Sequence, residues 1–399
     1  MIRLRLKKGR EASVERKHPW LFSGSVGLME GDGSDGLAQV VDSGDRILAH
    51  GSFSPKSQIV ARLWTFDRRA PGREIFEERF GAARRLREAV LPPGTTGFRA
   101  INSEGDLCPG VLMDVYGDTA VLDLLTEGTE QWEEGITSVA RAVFSPREVV
   151  VRRTGAERDR GGTGGTQPLD PTPLLEGEEQ SRRRVPFTEN GLNFFADVAS
   201  GQKTGFFLDQ RDNRARLRAL ATGRTVLNLF SYTGAFSVAA LAGGATRCLD
   251  VDASEAALLL AREHRRANGF AASEEDFVRA DVFEDLRHRV EAGEGWDIVV
   301  CDPPAFARRR GDVDRAARGY KDVNRLAMRL VRPGGWLLTC SCSGHVGPDL
   351  FQKIVFSAGL EAGASFSIAA RQGAGSDHPV SLECPEGEYL KGLWLSRRI

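Results

Sequence analysis

Residues 225–252 read TVLNLFSYTGAFSVAALAGGATRCLDVD. The apolar run TVLNLF has the length of a buried strand. A turn containing Gly234 opens onto a helical run, GAFSVAALAGG, and RCLDVD is a second strand. Strand, helix and strand in that order predict a parallel pair, because parallel strands need a long crossover and a helix supplies it. The alternation continues downstream. SEAALLLAREHRRANG, DRAARGYKDVNRLAMRLV and GPDLFQKIVFSAG predict helices, and DFVRAD, WDIVVCDPP and WLLTCSCS predict strands. Apolar strands between helices imply an α/β fold, a parallel Rossmann-like sheet covered on both faces. SFSIAA and YLKGLWLS close the chain as adjacent strands, an expected antiparallel hairpin at one sheet edge.

The upstream half has a different texture. Residues 1 to about 70 are short strands (RLRLK, AQVVDS, RILAHGSFS, QIVARLWTF) separated by Gly, Asp and Ser turns. Ile75, Phe76, Phe80, Ala83 and Leu86 recur at helical spacing between Arg73 and Val90, and Pro92-Pro93-Gly94 ends that helix. Residues 98–153 mix strand runs (VLMDVY, TAVLDLL, EVVVRR) with an amphipathic helix around 129–143. Residues 155–184, rich in Gly, Thr, Pro and charge, are expected to be a flexible insertion. The expected division is a small β-barrel at 1–72, an α+β middle domain at 73–195 and the α/β domain at 196–399.

The 399 residues suffice for large cores without disulfide or metal staples. With 54 Lys and Arg against 55 Asp and Glu, the net charge of -1 excludes a globally basic nucleic-acid binder but not a local basic patch. The six cysteines are too dispersed for a disulfide scaffold, and MIRLRLKKGR lacks the apolar core of a secretory signal. No apolar run is long enough for a membrane helix. A soluble cytoplasmic protein with no membrane partner is expected.

Ligands of parallel sheets bind beyond the carboxyl ends of the strands, and the residues there can be read directly. The first turn holds one glycine, Gly234, so the GxGxxG fingerprint of dinucleotide binding is absent and NAD is disfavoured. Asp252 ends the second strand, where it can accept from ribose hydroxyls; Asp281-Val282 follows the third, facing an adenine amino group. Asp302-Pro303-Pro304-Ala305-Phe306 ends the fourth as a stiff turn able to hold a carboxylate and an aromatic ring against a planar base. Each Asp alone is more simply a helix cap. The ordered set instead suits a cationic nucleoside, S-adenosylmethionine. Thr339-Cys340-Ser341-Cys342-Ser343 ends the fifth strand, where Cys340 and Cys342 share a face unless the strand stops between them. A strand-end cysteine is either core filler or a nucleophile. C-x-C without a matching second pair is weak support for zinc, and no metal is expected.

Many stretches carry a family pattern: GQKTGFFLDQRDNR (201–214), VLNLFSYTGAFSVAAL (226–241), CLDVDAS (248–254), RADVFEDL (279–286), DIVVCDPPAFARRR (297–310), GYKDVNRLAM (319–328), LLTCSCSGHV (337–346), DHPV (377–380) and PEGEYLKG (385–392). On these, residues 196–399 closely resemble the bacterial 23S rRNA 5-methylcytosine methyltransferases of the large-subunit type. Those are class I S-adenosylmethionine enzymes with a seven-stranded sheet and an N-terminal PUA domain. GDRILAHGSFSPKSQIVARLW (44–64) resembles the PUA module, and FRAINSEGDLCPGVLMDVYGD (98–118) the family's middle domain.

The resemblance implies that Phe207, Asp209, Arg211, Asn228, Phe230, Ser231, Gly234, Asp252, Ser254, Asp281, Val282 and Asp302 form the cofactor site. Asp302 would also meet the target base. Cys342 would be the nucleophile, with Cys340 its rival because TCS (339–341) also resembles the motif of related RNA cytosine methyltransferases. Those relatives carry a second cysteine after the proline of the fourth-strand motif, where this chain has Ala305. Pro303, Phe306, Arg308, Arg309, Arg310 and Lys321 would meet RNA. Residues 302–332 hold nine basic and four acidic residues, and the first 17 hold seven basic and two acidic, an electrostatic track for 23S rRNA. A homodimer is a further expectation of the resemblance. Three other readings stand beside it: methylation of a guanine (N7 or N2), a non-catalytic rRNA assembly factor, and an NAD oxidoreductase.

Overall fold

The computed structural model describes residues 1–154, 184–199, 201–307 and 309–399. The expected insertion at 155–184 lies outside the described residues except for Arg184, which opens a strand.

The amino-terminal sheet holds β1 (Ile2–Leu6), β2 (Trp20–Phe22), β3 (Val26–Glu30), β4 (Leu37–Val41), β5 (Ile47–Phe53) and β6 (Ile59–Thr65), in the order β2-β6-β5-β4-β1-β3. In β1, Ile2, Leu4 and Leu6 alternate inward and join Val40, Ala49 and Leu63 in one core. β2 and β3 were not anticipated. β2 is three residues long, and β3 exposes four of its five, so neither shows an alternating pattern.

The helix Arg73–Val90 has the expected bounds and buries Ile75, Phe76, Phe80 and Ala83. Its aromatic face packs with the helix Glu133–Phe144 over a second sheet, β7 (Gly97–Asn102), β8 (Val111–Tyr116), β9 (Thr119–Leu124) and β10 (Glu148–Arg153), ordered β10-β9-β8-β7. The helix expected around 129–143 is divided in two. Thr126 and Thr129 form a reciprocal cap that starts a short turn at Glu127–Glu130 before the main helix begins. A hairpin follows, β11 (Arg184–Glu189) and β12 (Leu192–Asp197), which the sequence reading missed. Its Phe187 meets Phe206 edge-on at 5.0 Å and its Phe194 lies tilted against Phe206 at 5.2 Å, and Tyr116 of β8 lies 5.1 Å from Phe187.

The last sheet is the α/β core. It contains β13 (Thr225–Leu229), β14 (Arg247–Asp252), β15 (Phe277–Arg279), β16 (Trp296–Cys301), β17 (Val331–Ser341), β18 (Phe366–Gln372) and β19 (Lys391–Arg397), ordered β15-β14-β13-β16-β17-β19-β18. The first five pair in parallel, and β19 is antiparallel to both neighbours. The expected late hairpin forms, but its second strand inserts inward beside β17 and leaves β18 at the edge. Burial explains this order: Lys391 through Leu395 are all buried, whereas β18 has no buried residue. The two faces of the sheet carry separate cores, one around Val299, Leu326 and Phe351, the other around Ile298, Cys340 and Trp394.

The cores meet at a buried ionic knot. Asp377 takes the Arg99 backbone N–H on Oδ2 at 2.8 Å and pairs through Oδ1 with Arg211 at 2.8 Å, while its carbonyl accepts from Arg87 at 2.8 Å. Asp377→Ala leaves the guanidinium of Arg211 buried without this counter-charge, a change that costs about 3–5 kcal/mol. A thermal melt should therefore fall by several degrees. The control Asp349→Ala, which breaks only an exposed pair with Lys353, should stay within about one degree of the parent. Equal shifts for the two variants would contradict the role given to the knot.

Candidate active site

The carboxyl ends of β13, β14, β16 and β17 open onto a cleft of about 470 Å³. One wall is the turn Phe230–Thr233. Phe230 and Tyr232 there have φ of 55° and 46°, a conformation costly for non-glycine residues and typical of turns that hold ligands. The turn is held by the Ser231 N–H, which donates to the Val251 carbonyl at 3.1 Å, and by the Tyr232 N–H, which donates to Asp252 Oδ2 at 2.8 Å. Ser254 N–H donates to the other Asp252 oxygen at 2.8 Å. Burial raises the Asp252 carboxyl above its ordinary value. Asp281 caps the helix Val282–Glu291 through Oδ1, at 2.9 and 3.1 Å from the N–H groups of Phe283 and Glu284, and still lines the cleft. Capping and lining are thus compatible in one residue.

These groups fit S-adenosylmethionine. The Ser231 hydroxyl is buried with no partner among the described residues, and it lines the cleft beside Asp252. Acceptor carboxylates stand at two successive strand ends, and Phe230, Val282 and Phe283 offer apolar surface for a planar ring.

The other end of the cleft brings Asp302 and Cys342 together. Gln210 Nε2 donates to Asp302 Oδ2 at 2.9 Å. Burial, reinforced by the charge of Asp209, pushes the Asp302 carboxyl up to about 7. The Asp302 turn is tied to the Cys342 turn through Ser343. Its Oγ accepts from the Ala307 N–H at 3.1 Å and lies 2.9 Å from the Tyr320 hydroxyl, and the Tyr320 ring packs on Phe306 at 4.6 Å. Burial, with the nearby Asp302 charge, pushes the Cys342 thiol up to about 12, while Lys203 and Lys391 pull it down. Lys391 is itself lowered to about 8 by burial, and its Nζ donates to the carbonyls of Ser343 and Tyr389 at 2.7 Å each. Asp209 Oδ2 accepts from Lys203 at 2.5 Å and from the Tyr389 hydroxyl at 2.6 Å. Burial opposes its charge, but Lys203 outweighs burial and holds the carboxyl below the usual range.

Of the site residues expected from sequence, Phe207, Asp209, Phe230, Ser231, Asp252, Ser254, Asp281, Val282, Asp302, Pro303, Phe306 and Cys342 line this cleft. Others do not. Arg211 is corrected: its guanidinium turns into the Asp377 and Glu189 knot, satisfying buried carboxylates instead of meeting a ligand. Asn228 sits behind the wall, donating to Asp250 at 2.8 Å. Gly234 shapes the turn from behind: its φ is +69°, and a Cβ there would lie 2.8 Å from Ala261. Cys340 is fully buried in the core with Trp394. β17 ends at Ser341, so Cys340 stays in the pleat while Cys342 lies beyond it and turns to the cleft. Lys321 is engaged with Glu361 at 2.8 Å, away from the cleft. Arg309 and Arg310 are exposed outside it, and Arg308 lies outside the described residues. Missed altogether were Gln210, Lys203, Tyr389 and Lys391. Each stood inside a quoted stretch, but nothing in the pattern said that Gln210, Lys203 and Lys391 would attend Asp302 or Cys342, or that Tyr389 would bond Asp209.

Among the described residues His18, Cys384 and Glu386 gather within 4.8 Å. His18 Nδ1 accepts the Trp20 N–H at 3.1 Å, so a neutral ring carries its proton on Nε2, toward Glu386, and has no lone pair there for a metal.

The sheet order, the strand-end carboxylates and the cleft define a class I S-adenosylmethionine-dependent methyltransferase joined to an amino-terminal β domain. Family comparison agrees: residues 172–369 match the S-adenosylmethionine-dependent methyltransferase family, and residues 4–66 the PUA-like domain. The chain belongs to the ribosomal RNA large subunit methyltransferase I family. It is 42% identical over 401 aligned positions to the member from Klebsiella pneumoniae subsp. pneumoniae, covering 98% of this chain and 97% of that one. To the member from Shewanella amazonensis it is 42% identical, covering 98% of each. A solved structure from Streptococcus mutans, assigned as a SAM-dependent methyltransferase, superposes with a TM-score of 0.81 at 24% identity, covering 99% of this chain and 100% of that one. A second, assigned as a methyltransferase and complexed with SAH, gives 0.81 at 25% identity with the same coverage. S-adenosylmethionine is the cofactor of this family. No helix of the described residues is long and apolar enough to cross a membrane.

A carboxyl whose folded pKa lies near 7 binds its proton more tightly than in the unfolded chain, at ~3.9. The stability it contributes is complete below the unfolded value and is lost as pH rises through about 7. Asp302→Asn removes this titration. The variant should melt above the parent at pH 8, by the equivalent of up to about 4 kcal/mol, with the gap closing toward pH 4.5. A gap independent of pH would contradict the raised value.

Proposed function

We propose that the chain forms 5-methylcytosine in 23S rRNA through a transient bond between Cys342 Sγ and C6 of the target base. The carrying observation is that Cys342 and Asp302 line one cleft with the groups that fit the cofactor. The names of the relatives, ribosomal RNA large subunit methyltransferase I, point to large-subunit RNA as substrate.

C5 of cytosine is a poor nucleophile, and covalent addition at C6 divides one hard step into two easier ones. Cys342 attacks as the thiolate, favoured by the positive charges of Lys203 and Lys391. As the C6–S bond forms, the ring electrons move toward N3, and Asp302, poised near neutrality, passes a proton to that nitrogen. The ring is then enamine-like and C5 carries electron density. When bound, S-adenosylmethionine supplies an electrophilic methyl group for C5. Loss of the C5 proton to a base then expels the Cys342 thiolate, and N3 returns its proton to Asp302. The target base must leave its stack to enter the cleft, which RNA loops permit at low cost.

In this reading residues 1–72 bind RNA, 73–195 connect and 196–399 catalyse, in the cytoplasm. Exposed Arg309, Arg310, Arg315 and Arg318 follow the Asp302 turn and suit phosphate contacts. Cys342→Ala should lower turnover at least about 10³-fold while cofactor binding persists. Cys340→Ala should retain activity within about tenfold, because Cys340 only fills core space. Nucleoside mass spectrometry of 23S rRNA from cells lacking the protein, complemented by each variant, reads both outcomes. Restored 5-methylcytosine with Cys342→Ala would exclude the covalent route.

A further inference from the structure

Gln210, Asn213 and Trp394 form a buried chain that ends on Asp302. Trp394 Nε1–H donates to Asn213 Oδ1 at 2.8 Å. Asn213 Nδ2 donates to Gln210 Oε1 at 2.7 Å, and Gln210 Nε2 donates to Asp302 Oδ2 at 2.9 Å. Trp394 and Asn213 are 0% exposed and Gln210 is 2% exposed, so water does not compete for these bonds.

The direction of the chain follows from chemistry. An indole N–H can only donate. The atom of Asn213 facing it must be the carbonyl oxygen, which leaves the Asn213 amide nitrogen to face Gln210. That nitrogen needs an acceptor, so Gln210 presents its oxygen inward and its nitrogen to Asp302. The indole thus determines the orientation of two amides in series.

The consequence falls on Asp302. Oδ2 is held as an acceptor, so a proton taken up by the carboxyl resides on Oδ1, the oxygen without a hydrogen bond from the described residues. Cytosine and uracil differ at N3: cytosine offers a lone pair, uracil an N–H. A carboxyl protonated on Oδ1 complements the first and opposes the second, donor against donor. Sites built around such a bond discriminate strongly, because the wrong partner leaves buried polar groups unpaired.

We propose that Gln210, oriented through Asn213 by Trp394, is a positioning residue that places the Asp302 proton on Oδ1 and thereby selects cytosine over uracil. This rests on the cytosine-C5 reading above. The charged and titratable groups that act on Asp302 are Asp209 and Lys203 from the 201–210 loop and Arg214 from the helix after it. Cys301 of β16 and Cys340 and Cys342 at the end of β17 also interact with it. The Gln210 bond favours the carboxylate form, so its loss moves the Asp302 titration upward.

The test compares the full-length parent with Gln210→Met, which keeps the length of the side chain without a donor, and Trp394→Phe, which removes the indole N–H and also leaves a small void in the core. The substrates are protein-free 23S rRNA transcripts carrying cytosine or uracil at the methylated position. For Gln210→Met, kcat on cytosine should fall about 10–100-fold, the cytosine-to-uracil ratio of kcat/KM should narrow at least tenfold, and the dissociation constant for S-adenosylmethionine should stay within twofold. The alkaline limb of the pH profile should move up. Trp394→Phe should show the same pattern at smaller amplitude. A readout without turnover is the pH dependence of Cys342 alkylation by iodoacetamide, whose midpoint responds to the Asp302 charge and should shift in both variants. Unchanged alkylation midpoints with unchanged cytosine preference would overturn the relay. A parent that forms no 5-methylcytosine would instead overturn the reading on which it rests.

Discussion

The cleft exists because one carboxylate, Asp377, is buried among groups that come from distant parts of the chain. Arg87 belongs to the helix Arg73–Val90, Arg99 to β7 and Arg211 to the helix that follows the 201–210 loop. Burying such a charge is costly unless it is fully paired, and here its carboxylate is met on both oxygens, by Arg211 and His378 on one and the Arg99 N–H on the other. Partial satisfaction would be worse than none. The middle sheet and the α/β sheet are therefore held in one relative placement, and both walls of the cleft depend on it. Arg99, Asn102 and Leu112 line one side, and Phe230, Asp252 and Asp302 the other.

The same economy of charge runs through the reacting end. Asp209 stays ionised because Lys203 and Tyr389 hold it, and its negative charge, added to burial, brings the Asp302 titration up to about neutral pH. Two carboxylates a short distance apart are thereby driven to opposite states, a recurring way of assigning acid and base roles. Cys342 lies where two lysines oppose, without outweighing, the burial that suppresses its ionisation. Lys391 cannot leave, since two carbonyls hold its Nζ.

Much of the fold was legible in the sequence. Strand–helix alternation marked the α/β sheet, since parallel strands buried on both faces must be apolar throughout and separated by helices. Strand ends located Asp252, Asp281 and Asp302, because the topology places every such end at one edge. The helix Arg73–Val90 was readable from its apolar spacing and the prolines after it. β2, β3 and the hairpin of β11 and β12 were not. They are short or two-sided, and the hairpin is held by the Phe187, Phe194 and Phe206 cluster, whose members meet only in the folded chain.

The sequence by itself determined the class of fold, the cofactor it suits and the two stretches, DPP and SCSG, that bring Asp302 and Cys342 to the cleft, because these follow from local periodicity and from residue types at strand ends. Tertiary structure alone decided which cysteine faces the cleft, that Arg211 serves a structural knot, and that Gln210, Lys203 and Lys391 attend Asp302 and Cys342. The physical reason is that side-chain direction depends on where a strand stops, and the charge state of a buried group depends on neighbours about a hundred or more residues away in sequence. β17 ends at Ser341, one residue before Cys342, and that single boundary separates core filler from a thiol in the cleft.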